Sequence, residues 1–147
     1  MTHAELVRHA EKWLYSSYKN MTPLGHVRCS HVVTELRAAT IYGECADALG
    51  WAQGRSILIE CKTSRSDFKR DSGKIFRRYE QDGLGKQRYL LTNPGIITTD
   101  DLPEKWGFLE MTSSGVLRVV RESEFFEYNK EDEMKILLSV IRRMKGE

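Results

Sequence analysis

The chain contains few cysteines and no long apolar run, and both absences exclude whole classes of protein. Its three cysteines, Cys29, Cys45 and Cys61, are an odd number at wide spacings. A disulfide framework needs an even set and a zinc site of two close cysteine pairs needs short spacings, so neither is predicted. No apolar stretch approaches the roughly 18 residues of a membrane-spanning helix, and the N-terminus lacks an apolar signal core. We therefore expect a soluble, cytoplasmic protein without a membrane partner.

Linkers, internal repeats and low-complexity segments are also absent. The chain has 147 residues, of which 40% are hydrophobic and 10% are aromatic, and it contains only three prolines. That length and composition are ordinary for one globular domain with a buried core. A single domain over residues 1–147 is therefore predicted.

The most informative pattern is an apolar run that ends in an acid, any residue and a lysine. Residues 57–59 are Ile-Leu-Ile, and Glu60, Cys61 and Lys62 follow directly. Side chains alternate along a strand, so Glu60 and Lys62 are expected on one face and Cys61 on the other. A strand that is apolar throughout is usually buried on both faces, and charges at its end need partners. We therefore predict that the triplet has a functional role and is not an ordinary exposed strand face.

A second acid is expected to face Glu60 across a hairpin. If Gln53 and Gly54 are the two loop residues, the pairing continues down the strands until Asp47 lies opposite Glu60. Like charges in facing positions are destabilising unless something lies between them. Carboxylate oxygens suit Mg²⁺ or Mn²⁺, so a divalent cation is predicted there.

These residues resemble the motif of a nuclease superfamily. The chain resembles the PD-(D/E)xK, or restriction-endonuclease-like, superfamily over about residues 30–110. The resemblance is carried by Glu35, Asp47 and the triplet from Glu60 to Lys62, with residues 63–68 that follow it. The resemblance implies that Asp47 and Glu60, with the backbone carbonyl of Cys61, hold Mg²⁺ or Mn²⁺, and that Lys62 acts near the attacking water. The chain departs from the name-giving pattern at Ala46, where a proline is usual, and no metal ligand is affected.

Two further site residues are less certain from the sequence. Glu35 faces the site only if the loop before Asp47 has an odd length, because a one-residue change of register moves a side chain to the other face. A two-residue loop at Tyr42 and Gly43 would point Glu35 away, and both alternatives are open. The resemblance also implies a catalytic role for Gln87; alternatively it is an exposed polar strand residue.

Positive charge follows the motif immediately. Residues 62–88 contain nine Lys or Arg against four acids, whereas the chain as a whole carries only +2. Nucleic-acid affinity comes mainly from Lys and Arg at phosphates, so a basic segment beside a metal site favours binding of a strand for cleavage. The alternative is a solvated helix face. The predicted nucleic-acid-binding residues are Arg65, Lys69, Arg70, Lys74, Arg77, Arg78 and Arg88.

Hydrophobic periodicity and turn residues give the expected architecture. The fold class is α/β, with a restriction-endonuclease-like core in which helices flank a central mixed sheet, an extra β-hairpin and a C-terminal helix. A helix between the third and fourth strands predicts that these strands are parallel. The predicted helices cover residues 3–18, a segment from Ser64 or Ser66 through Phe68 to Tyr79, and 131–144; the predicted strands cover 27–37, 44–51, 56–62, 86–92, 106–111 and 116–120.

The sequence as a whole predicts a Mg²⁺- or Mn²⁺-dependent deoxyribonuclease that serves DNA repair, recombination or phage DNA processing. Its expected partner is DNA, with branched and single-stranded forms among the candidates. The apolar stripes of the C-terminal helix predict burial or a homodimer contact. An alternative is a non-cleaving DNA-binding accessory protein, and a third is a domain without chemistry. His3, His9 and His26 have no companion ligands in sequence and are expected to face solvent.

Overall fold

The computed structural model describes residues 1–16, 28–36 and 43–146. Within them, three α-helices flank a six-stranded mixed sheet, so the α/β class is confirmed. Among the described helices, none is both long and apolar enough to cross a bilayer. In chain order the helices and strands are α1 (His3–Tyr15), β1 (His31–Thr34), β2 (Ala48–Ala52), β3 (Arg55–Lys62), α2 (Arg65–Asp71), β4 (Gln87–Thr92), β5 (Gly107–Met111), β6 (Leu117–Arg121) and α3 (Lys130–Met144), with 3₁₀ turns at Ile75–Arg77, Glu80–Asp82 and Thr99–Asp101.

The strands follow their sequence order across the sheet, from β1 to β6. Strand β2 pairs antiparallel with both β1 and β3, the strands β3, β4 and β5 are parallel, and β5 and β6 form a closing antiparallel hairpin. The parallel pairing of β3 with β4 confirms the prediction from the intervening helix. This arrangement brings the C-terminal ends of β3 and β4 to one edge of the sheet.

Helix α1 covers one face of the sheet. Thr2 and Glu5 form a capping box at its start, as the sequence predicts, and satisfy backbone N–H groups that have no partner within the helix. Leu6, Ala10 and Leu14 recur at helical spacing, and all three are fully buried in the core on this side. The helix ends at Tyr15, and residues 17–18 of the predicted helix lie outside the described residues.

Strand β3 is the centre of the core, and its side chains alternate between the two faces of the sheet. Ile57, Ile59 and Cys61 pack in the cluster that contains α1, whereas Leu58 packs in the cluster on the opposite face. Glu60 and Lys62 continue the Leu58 side by strand alternation, as predicted. Glu60 and Lys62 therefore lie on the face of the sheet opposite α1.

The segment after α2 is not the continuous helix that the sequence predicts. Ser64 caps α2, but the helix ends at Asp71, and the chain continues through Gly73 into two short 3₁₀ turns. Ile75 and Tyr79 are 51% and 57% exposed, so they do not continue an apolar face. The reason is the charge at the end of the helix, because Asp71 is buried and binds Arg77 instead of continuing along the surface.

The C-terminal helix α3 buries one face and exposes another. Ile136 packs in the core, and the buried carboxylate of Glu133 accepts hydrogen bonds from Ser56 Oγ at 2.9 Å and the Gly85 amide at 2.8 Å. The second apolar stripe lies on the surface of the single chain. It comprises Met134, Leu137, Leu138, Ile141 and Met144.

Gly85→Ala tests how tightly the loop before β4 is packed against β3. Gly85 has φ +92°, and an added Cβ would lie 2.7 Å from Leu58 Cβ and 2.8 Å from the Gln87 carbonyl oxygen. Gly95 also has a positive φ of +78°, but an added Cβ there would meet no atom within 4 Å, so Gly95→Ala is the matched control. Both variants lose about 1 kcal/mol to the left-handed backbone, and Gly85→Ala loses about 1–3 kcal/mol more by overpacking. Urea unfolding measures the difference, and equal losses would contradict this packing.

Candidate active site

The β2–β3 hairpin places two acids at the same edge of the sheet. Ala52 pairs with Arg55 and Ala48 pairs with Ile59, which is the predicted register, and the next position sets Asp47 opposite Glu60. Oδ2 of Asp47 accepts a hydrogen bond from the amide of Cys61 at 2.8 Å. That bond fixes the Asp47 carboxylate beside the end of β3.

Glu35 lies on the same edge, next to Asp47. Thr34 pairs with Ala48, and the amide of Glu35 donates to the carbonyl oxygen of Asp47 at 3.1 Å. Of the two alternatives from sequence, the odd-length connection is therefore confirmed. The backbone of Glu35 has φ +50°, a value that residues other than glycine rarely adopt. The Glu35 carboxylate is about half exposed.

His3, which was not predicted to belong to the site, lies between these two acids. His3 Nδ1 is 3.5 Å from Glu35 Oε1, and His3 Nε2 is 3.2 Å from Asp47 Oδ1. The His3 side chain is 41% exposed, which agrees in part with the predicted solvent-facing position, but its contacts with two acids were not predicted. They arise because His3 begins α1, which packs beside β1 and β2. We call His3, Glu35 and Asp47 the upstream cluster.

Glu60 belongs to a second, buried group of charges. Its Oε1 lies 3.3 Å from Nη2 of Arg77, whose Nη1 donates to Glu44 Oε2 at 2.8 Å and whose Nε donates to Asp71 Oδ2 at 2.9 Å. Lys62 Nζ donates to Asp71 Oδ1 at 3.3 Å. We call Glu44, Glu60, Lys62, Asp71 and Arg77 the Arg77 cluster. Each of these side chains is less than a tenth exposed.

Burial and neighbouring charges shift the pKa values in this cluster in opposite directions. Burial raises the pKa of Glu60 well above its usual range; Asp47 raises it further, and Arg77 opposes both. Burial also works to raise the pKa of Asp71, but Arg77 and Lys62 outweigh it and the net shift is downward. Glu44, Glu60 and Asp71 raise the pKa of Arg77 against the effect of burial.

The charged groups at this edge leave a negative excess that a divalent cation would offset. Among the described residues, five carboxylates gather here. Glu44, Glu60 and Asp71 contact the cations Lys62, Lys74 and Arg77, whereas Glu35 and Asp47 contact His3. With His3 neutral and these five carboxylates and three cations ionised, the excess is two negative charges. One potential ligand atom from each member of the upstream cluster lies within 4.8 Å of the other two. Carboxylate donors in an acidic setting fit Mg²⁺ or Mn²⁺.

The predicted ligand set is assembled only in part. Of the predicted ligands Asp47 and Glu60, only Asp47 belongs to the group of converging ligand atoms, because Glu60 lies outside it and binds Arg77. Glu35, which was predicted as a catalytic residue and not as a ligand, lies beside Asp47. Cys61 contacts Asp47 through its amide, and its side chain is buried on the α1 face. Asp47 is therefore the residue common to the predicted ligand set and the upstream cluster.

Gln87 lies away from the candidate site, which does not support its predicted catalytic role. It pairs with Ile57 at the start of β4, whereas Leu90 lies beside Glu60 and Thr92 beside Lys62. Gln87 is fully buried, and its Nε2 donates to the carbonyl oxygen of Ser123 at 3.2 Å. Three residues along a strand separate it from Glu60 by about 10 Å.

Two of the predicted nucleic-acid-binding arginines are structural. Arg88 is 2% exposed and donates to the carbonyl oxygens of Gly85, Glu80 and Glu127, at distances of 2.6 to 3.0 Å. Burial lowers its pKa to about 10. Arg77 is 6% exposed within its cluster. The prediction of a surface contact to phosphate is therefore wrong for both.

The other five predicted cations are exposed and share one segment. Arg65 binds Asp101 through both Nη atoms, at 3.0 and 2.9 Å, and Arg70 lies 3.3 Å from Asp67. The exposed set is Arg65, Lys69, Arg70, Lys74 and Arg78. These side chains follow β3 directly and remain candidates for phosphate contact.

Sequence reasoning missed Glu44 and Asp71 as well as His3. Glu44 lies three residues before Asp47 in an irregular segment, and Asp71 is one of many charges in a basic stretch. Neither position carries a periodic signal. The available signal was electrostatic and indirect. A buried acid at the end of β3 needs a buried cation, and the buried cations Lys62 and Arg77 in turn need further acids.

Comparisons with known proteins bear on the fold alone. No protein-family model and no curated protein matches the chain. Among solved structures, the chain is similar to the SPO1766 protein of unknown function from Silicibacter pomeroyi, with a TM-score of 0.56 and 21% identity over 78% of this chain and 76% of that chain. Membership of the nuclease superfamily stays a prediction.

Arg77→Met tests the Arg77 cluster. The change leaves buried carboxylates without their shared cation, so the free energy of unfolding should fall by about 3–5 kcal/mol at pH 8. Without Arg77 the already raised pKa of Glu60 rises further, so the folded state binds protons that the unfolded state releases. The loss should therefore shrink as the pH falls from 8 towards 5.

The control is Arg78→Met, which alters the exposed neighbour and should change stability by less than about 0.5 kcal/mol. Urea unfolding at several pH values measures both variants. A loss in Arg77→Met that is independent of pH would show that the carboxylates do not depend on this guanidinium.

Proposed function

We propose that the chain is a divalent-metal-dependent nuclease that hydrolyses DNA phosphodiester bonds on a restriction-endonuclease-like core. The observation that carries the proposal is the position of Glu35, Asp47, Glu60 and Lys62 at neighbouring strand ends on one edge of the sheet. Three strand ends supply these residues, and the pairing register brings them together. Acids that lie near a lysine at a strand end are suited to bind a metal and a phosphate together.

The roles of the side chains follow from their positions. Asp47 would hold the cation through Oδ1, because Oδ2 already accepts the Cys61 amide. Glu35 and Glu60 flank it, and Glu60 becomes available in exchange for its contact with Arg77. A bound divalent cation supplies a Lewis acid that lowers the pKa of water and withdraws charge from phosphate.

Lys62 supplies positive charge to the transition state. Its ammonium group is buried on the Glu60 side of β3 and contacts Asp71 at 3.3 Å. A preorganised cation in a site with little water stabilises developing negative charge more strongly than the same group in solvent does. Asp71 positions that ammonium and does not need to touch the substrate.

The exposed cations after β3 would hold the DNA backbone. Arg65, Lys69, Arg70, Lys74 and Arg78 lie in the segment that follows the site, so a strand bound to them would pass near Asp47 and Lys62. Phosphate neutralisation of this kind is independent of sequence. A homodimer through the exposed stripe of α3 would supply a second active site for double-strand cutting.

A second candidate function is supported by the Arg77 cluster. Glu60 and Lys62 are both paired with buried partners, Arg77 and Asp71, before any ligand is present. If those pairs are permanent, the chain is a DNA-binding accessory protein that keeps the fold and does not cleave. Cleavage assays separate the two functions.

Lys62→Met and Asp47→Asn test catalysis. Purified protein is incubated with supercoiled plasmid, labelled single strands and branched DNA, in Mg²⁺, Mn²⁺ or EDTA. Wild type should cleave only with metal, and each variant should lower the rate by roughly 100-fold or more, because each removes charge stabilisation at the phosphate.

Lys135→Met is the matched lysine control and should cleave as wild type does, since Lys135 lies on α3 and contacts Glu131 at 3.9 Å. Circular dichroism checks that every variant folds. Equal rates for Lys62→Met and Lys135→Met would reject the proposed site, and intact DNA binding without cleavage would favour the accessory function.

The double variant Lys69→Ala, Arg70→Ala tests the DNA surface. Fluorescence anisotropy with labelled DNA in EDTA, over 50–200 mM KCl, gives the slope of log affinity against log salt. Each lost phosphate contact should make the slope shallower by about 0.7–0.9. The control, Lys130→Ala with Lys135→Ala, removes the same charge from α3. If the two double variants lose affinity and slope equally, the segment after β3 is not the binding surface.

A further inference from the structure

An imidazole ring lies between the two upstream acids and faces each with a different nitrogen. The Nδ1 to Glu35 Oε1 distance is 3.5 Å, and the Nε2 to Asp47 Oδ1 distance is 3.2 Å. The ring comes from the first residue of α1, Glu35 follows β1 and Asp47 precedes β2. The three side chains therefore converge from three separate elements of the fold.

The bonding capacity of imidazole makes this arrangement informative. A neutral ring has one N–H, so one of its nitrogens presents a lone pair to a carboxylate oxygen. Lone pairs that face each other require a proton or a metal ion between them. The edge also carries an excess of carboxylates over cations, and a divalent ion would satisfy both requirements.

Exposure leaves space for the remaining ligands of such an ion. The side chains of His3, Glu35 and Asp47 are 41%, 54% and 17% exposed. Water or a phosphate oxygen can therefore complete the coordination from the solvent side. Glu35 is held by a left-handed backbone with φ +50°, a conformation that persists only where the surrounding structure imposes it.

We propose that His3 is a nitrogen ligand of the divalent cation and that it favours a first-row transition ion such as Mn²⁺ over Mg²⁺. The inference rests on the proposed function only in taking this edge as the metal centre. Mg²⁺ prefers oxygen ligands, whereas imidazole nitrogen is a ligand for transition metals. The proposed ligands are one nitrogen from His3 and carboxylate oxygens from Glu35 and Asp47. This ligand set does not require Glu60.

The test measures Mn²⁺ binding without nucleic acid, so that it does not depend on cleavage. Electron paramagnetic resonance follows free Mn²⁺ in titrations of wild type, His3→Gln and the control His9→Gln, and Mg²⁺ affinity is obtained by competition. His3→Gln should weaken Mn²⁺ binding by about tenfold or more and Mg²⁺ binding by less. His9→Gln should bind both ions as wild type does, because His9 lies outside the upstream cluster.

A second measurement on wild type avoids any effect of the substitution on folding. Electron spin-echo envelope modulation of bound Mn²⁺ should show coupling to an imidazole nitrogen. Absence of that coupling, or unchanged Mn²⁺ affinity in a folded His3→Gln variant, would overturn the assignment. Nitrogen coupling without DNA cleavage would keep the metal site and reject the nuclease; cleavage without the coupling would keep the nuclease and reject His3 as a ligand.

Discussion

The pairing register of β2 with β3 determines which side chains meet at the candidate site. The tight turn at Gln53 and Gly54 sets that register, and it carries Asp47 to the position opposite Glu60. A one-residue slip would turn Glu60 and Lys62 into the apolar face that packs on α1, where their charges would have no partners. The cost of burying unpaired charge therefore protects the register, and the register assembles the site.

Electrostatic balance is the second constraint on this edge. Arg77 connects three buried carboxylates and ties the segment after α2 to the end of β3. The same contact occupies Glu60, whose pKa is raised by burial and by Asp47. In the proposed metal site, a cation at Asp47 would weaken the contact between Glu60 and Arg77, because it would neutralise part of the nearby negative charge.

Local signals in the sequence predicted the strands and their register, because alternation and turn chemistry act over a few residues. They correctly placed Asp47 opposite Glu60 and separated Cys61 from Lys62. They failed where long-range contacts decide the structure. Asp71 ends α2 by turning inward to Arg77, and nothing near His3 in sequence indicates that two strand ends lie beside it. Gln87 was misplaced because a motif gives residue types, whereas the parallel register of β4 gives their height along the strand.

The proposed function and the proposed role of His3 both require that the edge around Asp47 binds a divalent cation. Anomalous scattering at the manganese absorption edge, from crystals soaked in Mn²⁺, tests it directly. We expect a peak within about 2.0–2.6 Å of the Asp47 carboxylate, near the end of β3. A soaked crystal with no anomalous peak at Asp47, or with peaks only at unrelated surface carboxylates, would contradict it.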